Sequence, residues 1–173
     1  MTKIIPYSTQ SISKHDIAAV IKVLKSKFLT QGPVVKIFEK KVAKQTDAKY
    51  AVAFNSATSA LHASCLAFAL SSNDIVWTVP NTFVASANCV LLAGGKIDFV
   101  DIDPNTNNMD IELLEKKLIK AKKQKKLPKI VIPVHFSGNP YLQDKVKNLS
   151  NKYNFKIIED ASHAIGASYQ NEK

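Results

Sequence analysis

The chain has 173 residues, 46% of them hydrophobic and 22% charged, with a formal net charge of +10. That composition excludes a disordered chain, a collagen-like repeat and a small disulfide scaffold, and the length suits one domain or one domain with an appendage. All 24 basic residues are lysine, and eight of them lie between Lys116 and Lys129 in a stretch without Asp or Glu, so the rest of the chain is nearly neutral. Readers of nucleic acid rely on arginine for bidentate base contacts. None is present, so no nucleic-acid partner is expected, and the lysine run is taken as a solvated helix end. Cys65 and Cys89 lack the spacing of metal ligands and are expected as buried free thiols, with no metal site. No apolar run approaches the roughly 20 residues of a bilayer span, and the N-terminus turns polar too early for a signal peptide. A cytoplasmic protein with no membrane partner is the simplest expectation.

Two helical patterns come first. Ser13 can cap a helix carrying Ile17, Val20, Ile21 and Leu24 on one face, and the Gly32-Pro33 pair breaks it. Val35, Phe38 and Val42 mark a second helix. Residues 1–45 are therefore expected as a helical arm ahead of an α/β body. From residue 50 onward strands and helices alternate. Buried strands are expected at 50–54, 74–79, 96–100, 129–134 and 156–159. Helices are expected at 59–70 and at 83–93, the latter closed by Gly94 and Gly95. A further helix carries Ile111, Leu114 and Leu118, and another carries Leu142, Val146, Leu149 and Tyr153. Such alternation implies right-handed crossovers and a mostly parallel sheet flanked by helices.

In an open α/β sheet ligands sit beyond the C-terminal ends of the strands. The first such position carries Asn55-Ser56-Ala57-Thr58-Ser59-Ala60-Leu61, small hydroxyl residues opening a helix. They suit either an anion cradle or ordinary capping. Pro80-Asn81-Thr82-Phe83 places an aromatic ring after the second strand, as a ligand plate or a core residue. Glu159-Asp160-Ala161-Ser162-His163 ends the last strand with a carboxylate and an imidazole. No G-x-G-x-x-G fingerprint and no P-loop is present. Together an anion cradle, an aromatic plate and a carboxylate are what pyridoxal 5'-phosphate needs, the carboxylate keeping the pyridine nitrogen protonated.

These residues, with Leu29-Thr30-Gln31-Gly32-Pro33, Thr82-Phe83-Val84-Ala85-Ser86-Ala87-Asn88 and Phe99-Val100-Asp101-Ile102-Asp103, resemble the DegT/StrS-type sugar-nucleotide aminotransferases. That family has the fold-type I architecture of pyridoxal phosphate enzymes, and the resemblance runs almost end to end. It implies that Ser56, Ala57 and Thr58 hold the cofactor phosphate and that Phe83 stacks on the pyridine ring. Asp160 would pair with the ring nitrogen, and His163 would bond the phenolic oxygen. Tyr7, Lys27, Phe28, Leu29 and Thr30 would lie near the nucleotide-sugar. It also implies a homodimer with shared active sites. The reaction implied moves an amino group from glutamate to C4 of a UDP-linked 4-keto-6-deoxy sugar, for surface polysaccharide or flagellin glycan. Within the family the wording is most similar to the pseudaminic acid branch.

One departure stands out. The family's Schiff-base lysine follows the Asp motif in a Ser-Phe-rich segment, and no such segment occurs before Lys173. The expectation is that residues 46–173 are part of a cofactor-binding large domain whose catalytic lysine and C-terminal small domain lie beyond this chain. The chain alone is then expected to be inactive. A sugar dehydratase of the same family, with His replacing the lysine, and a non-catalytic phosphate-binding remnant are the alternatives.

Overall fold

The computed structural model describes residues 9–170. Helices α1 (Lys14–Leu24) and α2 (Pro33–Gln45) lead the chain. Ser13 and Asp16 form a complete capping box at α1, and Pro33 opens α2, where its missing N–H costs nothing. Neither helix buries a residue, so both present apolar side chains such as Ile17, Leu24 and Phe38 to solvent.

The body then alternates: α3 (Ala57–Ala67), β1 (Ile75–Thr78), α4 (Ala85–Leu92), β2 (Lys96–Phe99), α5 (Ile111–Lys123), β3 (Ile130–Val131), α6 (Gln143–Tyr153) and β4 (Lys156–Ile157). The four strands form one sheet in the order β2-β1-β3-β4, and every ladder between them is parallel. Alternate residues of each strand feed opposite faces. Val76, Ile130 and Ile132 pack with Leu61, Cys65, Cys89 and Val90 of α3 and α4. Trp77, Val79 and Val131 pack with Leu114 and Leu118 of α5 and with Val146, Leu149 and Tyr153 of α6. Burying a leucine such as Leu114 or Leu118 contributes about 1.5–3 kcal/mol. The inner strands β1 and β3 are thus covered on both faces, which explains their apolar runs, whereas the edge strand β2 leaves Lys96, Asp98 and Phe99 exposed.

The chain order places the reversal point. From β1 the chain steps to β2 through α4 on one face. It then crosses back over β1 to β3 through α5 on the other face. The carboxyl ends of β1 and β3 therefore flank the crevice where doubly wound sheets hold ligands.

Two expectations need correction. The stretch 50–54 joins no strand among the described residues, and Tyr50 and Val52 are 76% and 71% exposed. An apolar run becomes a strand only where a neighbour takes its backbone groups. Here the Ala53 N–H donates to Glu39 Oε1 at 2.9 Å instead. The last two strands are also shorter than 129–134 and 156–159. Pro133 lacks an N–H and interrupts the ladder, which resumes only as a single bridge between Val134 and Asp160. Helix α4 begins at Ala85, leaving Phe83 in the turn before it. Cys65 and Cys89 are buried free thiols on α3 and α4, their sulfurs 3.8 Å apart. The lysine run forms the last turns of α5 and the exposed turn after it, where the helix dipole favours positive charge.

Candidate functional site

A cavity of about 540 Å³ opens at the crevice between β1 and β3. Ala57, Thr58, Phe83, Asp160 and His163 all line it. These residues come from three separate segments, and the strand ends bring them together.

The floor is the start of α3. Ser56 caps that helix, its hydroxyl accepting from the Ser59 N–H at 3.2 Å and donating to Ser59 Oγ at 3.1 Å. The N–H groups of Ala57 and Thr58, in the first turn, have no intrahelical acceptor and stand at the positive end of the dipole. Both residues line the cavity, whereas Ser56 lies beside it with its hydroxyl committed to the cap. The Phe83 ring is 74% exposed, large for an aromatic side chain with a core available nearby.

Asp160 is 6% exposed at the end of the β3–β4 pairing. Its Oδ2 accepts from Ser86 Oγ at 2.6 Å, and its Oδ1 accepts from Ser162 Oγ at 2.6 Å and from the Ser162 N–H at 3.3 Å. A buried carboxylate with these donors keeps free lone pairs for a further cationic donor. His163 sits on the following loop at the cavity rim. That loop is held close to the turn after β3: a Cβ on Gly138, whose φ is +80°, would lie 2.7 Å from the His163 carbonyl oxygen. Asn108 fixes the other side of this turn, accepting from the Phe136 N–H and donating to the Asn139 carbonyl, each at 3.0 Å.

Sequence reasoning did not single out His135, Ser86, Thr82 or Ser162. His135 lines the cavity, is buried, and pairs through Nε2 with Glu159 Oε2 at 3.0 Å. The imidazole holds the Glu159 carboxyl below the usual range. His135 Nδ1 is buried without a partner among the described residues, and its ring packs on Tyr141 at 4.8 Å. Burial pushes the Tyr141 hydroxyl pKa well up. Ser86 is the polar residue on the buried face of α4, whereas Asn88 on the same helix is exposed.

Lys27, Phe28, Leu29 and Thr30 occupy the exposed connection between α1 and α2 and do not line the cavity. Tyr7 lies outside the described residues. No lysine lines the cavity among the described residues.

The cavity fits a phosphorylated pyridine. The first residues of α3, with N–H groups free of intrahelical acceptors, the exposed Phe83 ring and the buried Asp160 carboxylate with spare acceptor capacity all line it. Comparison with known proteins agrees. A model of the DegT/DnrJ/EryC1/StrS aminotransferase family matches residues 10–173. A UDP-4-amino-4,6-dideoxy-N-acetyl-beta-L-altrosamine transaminase of Campylobacter jejuni serotype O:2 is 42% identical over 167 residues, which are 96% of this chain and 43% of that protein. Helicobacter pylori PseC, an aminotransferase of pseudoaminic acid biosynthesis, superposes with a TM-score of 0.90 at 35% identity, over 99% of this chain and 45% of that one. A putative sugar aminotransferase of Streptococcus pneumoniae, solved in its PLP form, superposes at 0.85 with 27% identity, over 97% and 45%. The chain thus spans less than half the length of these relatives. With its parallel sheet, its strand-end cavity and this likeness, the chain belongs to the DegT/DnrJ/EryC1/StrS aminotransferase family.

Proposed function

We propose that this chain is the front part of a pyridoxal phosphate-dependent aminotransferase that places an amino group on C4 of a UDP-linked 4-keto-6-deoxy sugar. Glutamate is the donor, and the product serves pseudaminic acid or a related surface glycan. The observation that carries the reading is the meeting of the α3 N-terminus, Phe83 and Asp160 around one cavity. The name of the Campylobacter relative supplies the sugar class.

When bound, pyridoxal phosphate supplies an electron sink and a carrier for the amino group. The chain's own residues prepare the place. Ala57 and Thr58 offer backbone N–H groups, and Thr58 a hydroxyl, to a phosphate at the helix N-terminus. Phe83 covers one ring face and keeps water from it. Asp160, buried and acceptor-only, holds a proton on the pyridine nitrogen. His163 donates to the phenolic oxygen. Tyr7 and residues 27–30 belong to the nucleotide-sugar side in a homodimer with shared sites; residues 27–30 do not line this cavity. The lysine that carries the cofactor is supplied by sequence beyond this chain. The chain alone therefore does not turn over, and the enzyme works in the cytoplasm.

The test is a longer protein that contains this chain, incubated with glutamate and a UDP-4-keto-6-deoxy sugar. Equal amounts of 2-oxoglutarate and 4-amino sugar are expected by mass spectrometry. Loss of a sugar hydroxyl without amination would overturn the transaminase reading in favour of a dehydratase.

A further inference from the structure

Behind the cavity wall lies a chain of hydroxyls that ends on Asp160. Ser86 is completely buried on the first turn of α4. Its Oγ lies 2.6 Å from Asp160 Oδ2, 2.8 Å from Thr82 Oγ1 and 3.2 Å from the Phe83 carbonyl. A serine hydroxyl has one proton. The shortest contact is to the carboxylate, which can only accept when ionised, so that proton goes to Asp160. Ser86 Oγ is then left as an acceptor, and Thr82 donates to it. The network runs in one direction, from Thr82 through Ser86 to Asp160 Oδ2, and each donor polarises the next. Ser162 closes the other oxygen through its hydroxyl and its N–H. Rotating the Asp160 carboxylate therefore breaks a hydrogen bond on each oxygen.

We propose that Ser86 is a positioning residue for Asp160, and that Thr82 and Ser86 tie the carboxylate to the turn that carries Phe83. The inference rests on the cofactor reading above. Ser86 does not line the cavity. It acts through the carboxylate, presetting the oxygen that meets a pyridinium N–H. Thr82 directly precedes Phe83 in the chain, so one network fixes both the ring plate and the acid before a ligand arrives. A bound pyridine is then met by groups that need no reorganisation.

The probe is pyridoxamine 5'-phosphate, whose amine, unlike an aldehyde, does not condense with the chain's 24 lysines. Its binding is followed by ligand fluorescence in the longer protein that contains this chain, as wild type, Ser86→Ala, Thr82→Val and the double variant, with thermal unfolding of each free protein to show that it folds. Ser86→Ala is expected to bind up to about tenfold more weakly, the cost of ordering one freed side chain when the ligand arrives. Thr82 also lines the cavity, so Thr82→Val reads the network together with any contact of its own, and the losses in the double variant are expected to be less than additive because the two hydroxyls share one network. The pH at which the bound pyridine nitrogen loses its proton should also fall in Ser86→Ala, a change that loss of packing alone would not cause. Wild-type affinity in folded Ser86→Ala, or additive losses in the double variant, overturns the positioning role alone. Absence of binding by the wild type overturns the cofactor reading and the inference with it.

Discussion

A close backbone approach beside the cavity is open to a stringent test through Gly138. Its φ of +80° is a conformation that L side chains rarely adopt, and a Cβ there would stand 2.7 Å from the His163 carbonyl oxygen. Gly94 provides the control: its φ is +83°, but a Cβ there meets nothing within 4 Å. Gly94→Ala therefore carries only backbone strain, about 1–2 kcal/mol. Gly138→Ala carries a similar strain and an overlap that neither backbone can relieve by a rotamer change, worth about 1–3 kcal/mol more. At a midpoint of about 2 kcal/mol for the overlap, Gly138→Ala should melt about 4–8 °C below Gly94→Ala by circular dichroism. It should also weaken cofactor-analogue binding, because the displaced segment carries His163, whereas Gly94→Ala should leave binding unchanged. Equal melting temperatures for the two variants would refute the close packing of the turn after β3 against the His163 loop, and with it the account of how the rim is held.

Other consequences concern particular contacts. Thr78 is fully buried and its hydroxyl donates to the Ile132 carbonyl at 2.8 Å, so Thr78→Val should cost about 1 kcal/mol in urea unfolding with no change in slope. Lys129 donates to Asp74 at 2.8 Å and holds that carboxyl below the usual range, helped by Ser71. A depressed carboxylate stabilises the fold above its unfolded pKa and stops doing so as pH falls through the folded one. The stability advantage of wild type over Asp74→Asn should thus be full at pH 7 and shrink below about pH 4. Cys65 and Cys89 are fully buried, and the Cys89 thiol is pushed well up, first by its bond to Cys65 and then by burial. Neither should react with a thiol reagent in the folded chain, and both should react in guanidinium.

Much of this architecture was legible because its causes are local. Strand–helix alternation predicted strands at Ile75–Thr78 and Lys96–Phe99, and Ser13 and Gly32-Pro33 punctuate helices by their own backbone chemistry. The stretch 50–54 shows the limit. Its pattern matches a buried strand, but a strand needs a partner, and none lies beside it among the described residues. Candidate site residues that end strands, Phe83 and Asp160, were visible because the fold class says where ligands sit. Ser86 was not, since its partner Asp160 is 74 positions away and only the packing of α4 against the sheet joins them. His135 was hidden for the same reason: the Glu159 that orients it stands on the neighbouring chain segment, 24 positions on.

The central claim is that the cavity at the β1–β3 crevice receives the phosphorylated pyridine of the cofactor. Calorimetric titration of the longer protein that contains this chain with pyridoxamine 5'-phosphate tests it most directly, alongside Asp160→Ala and a competition with inorganic phosphate. The account predicts saturable binding at one site per chain, loss of most affinity in Asp160→Ala, and competition by phosphate through the α3 N-terminus. Binding that is absent, or that is indifferent to Asp160, would contradict it.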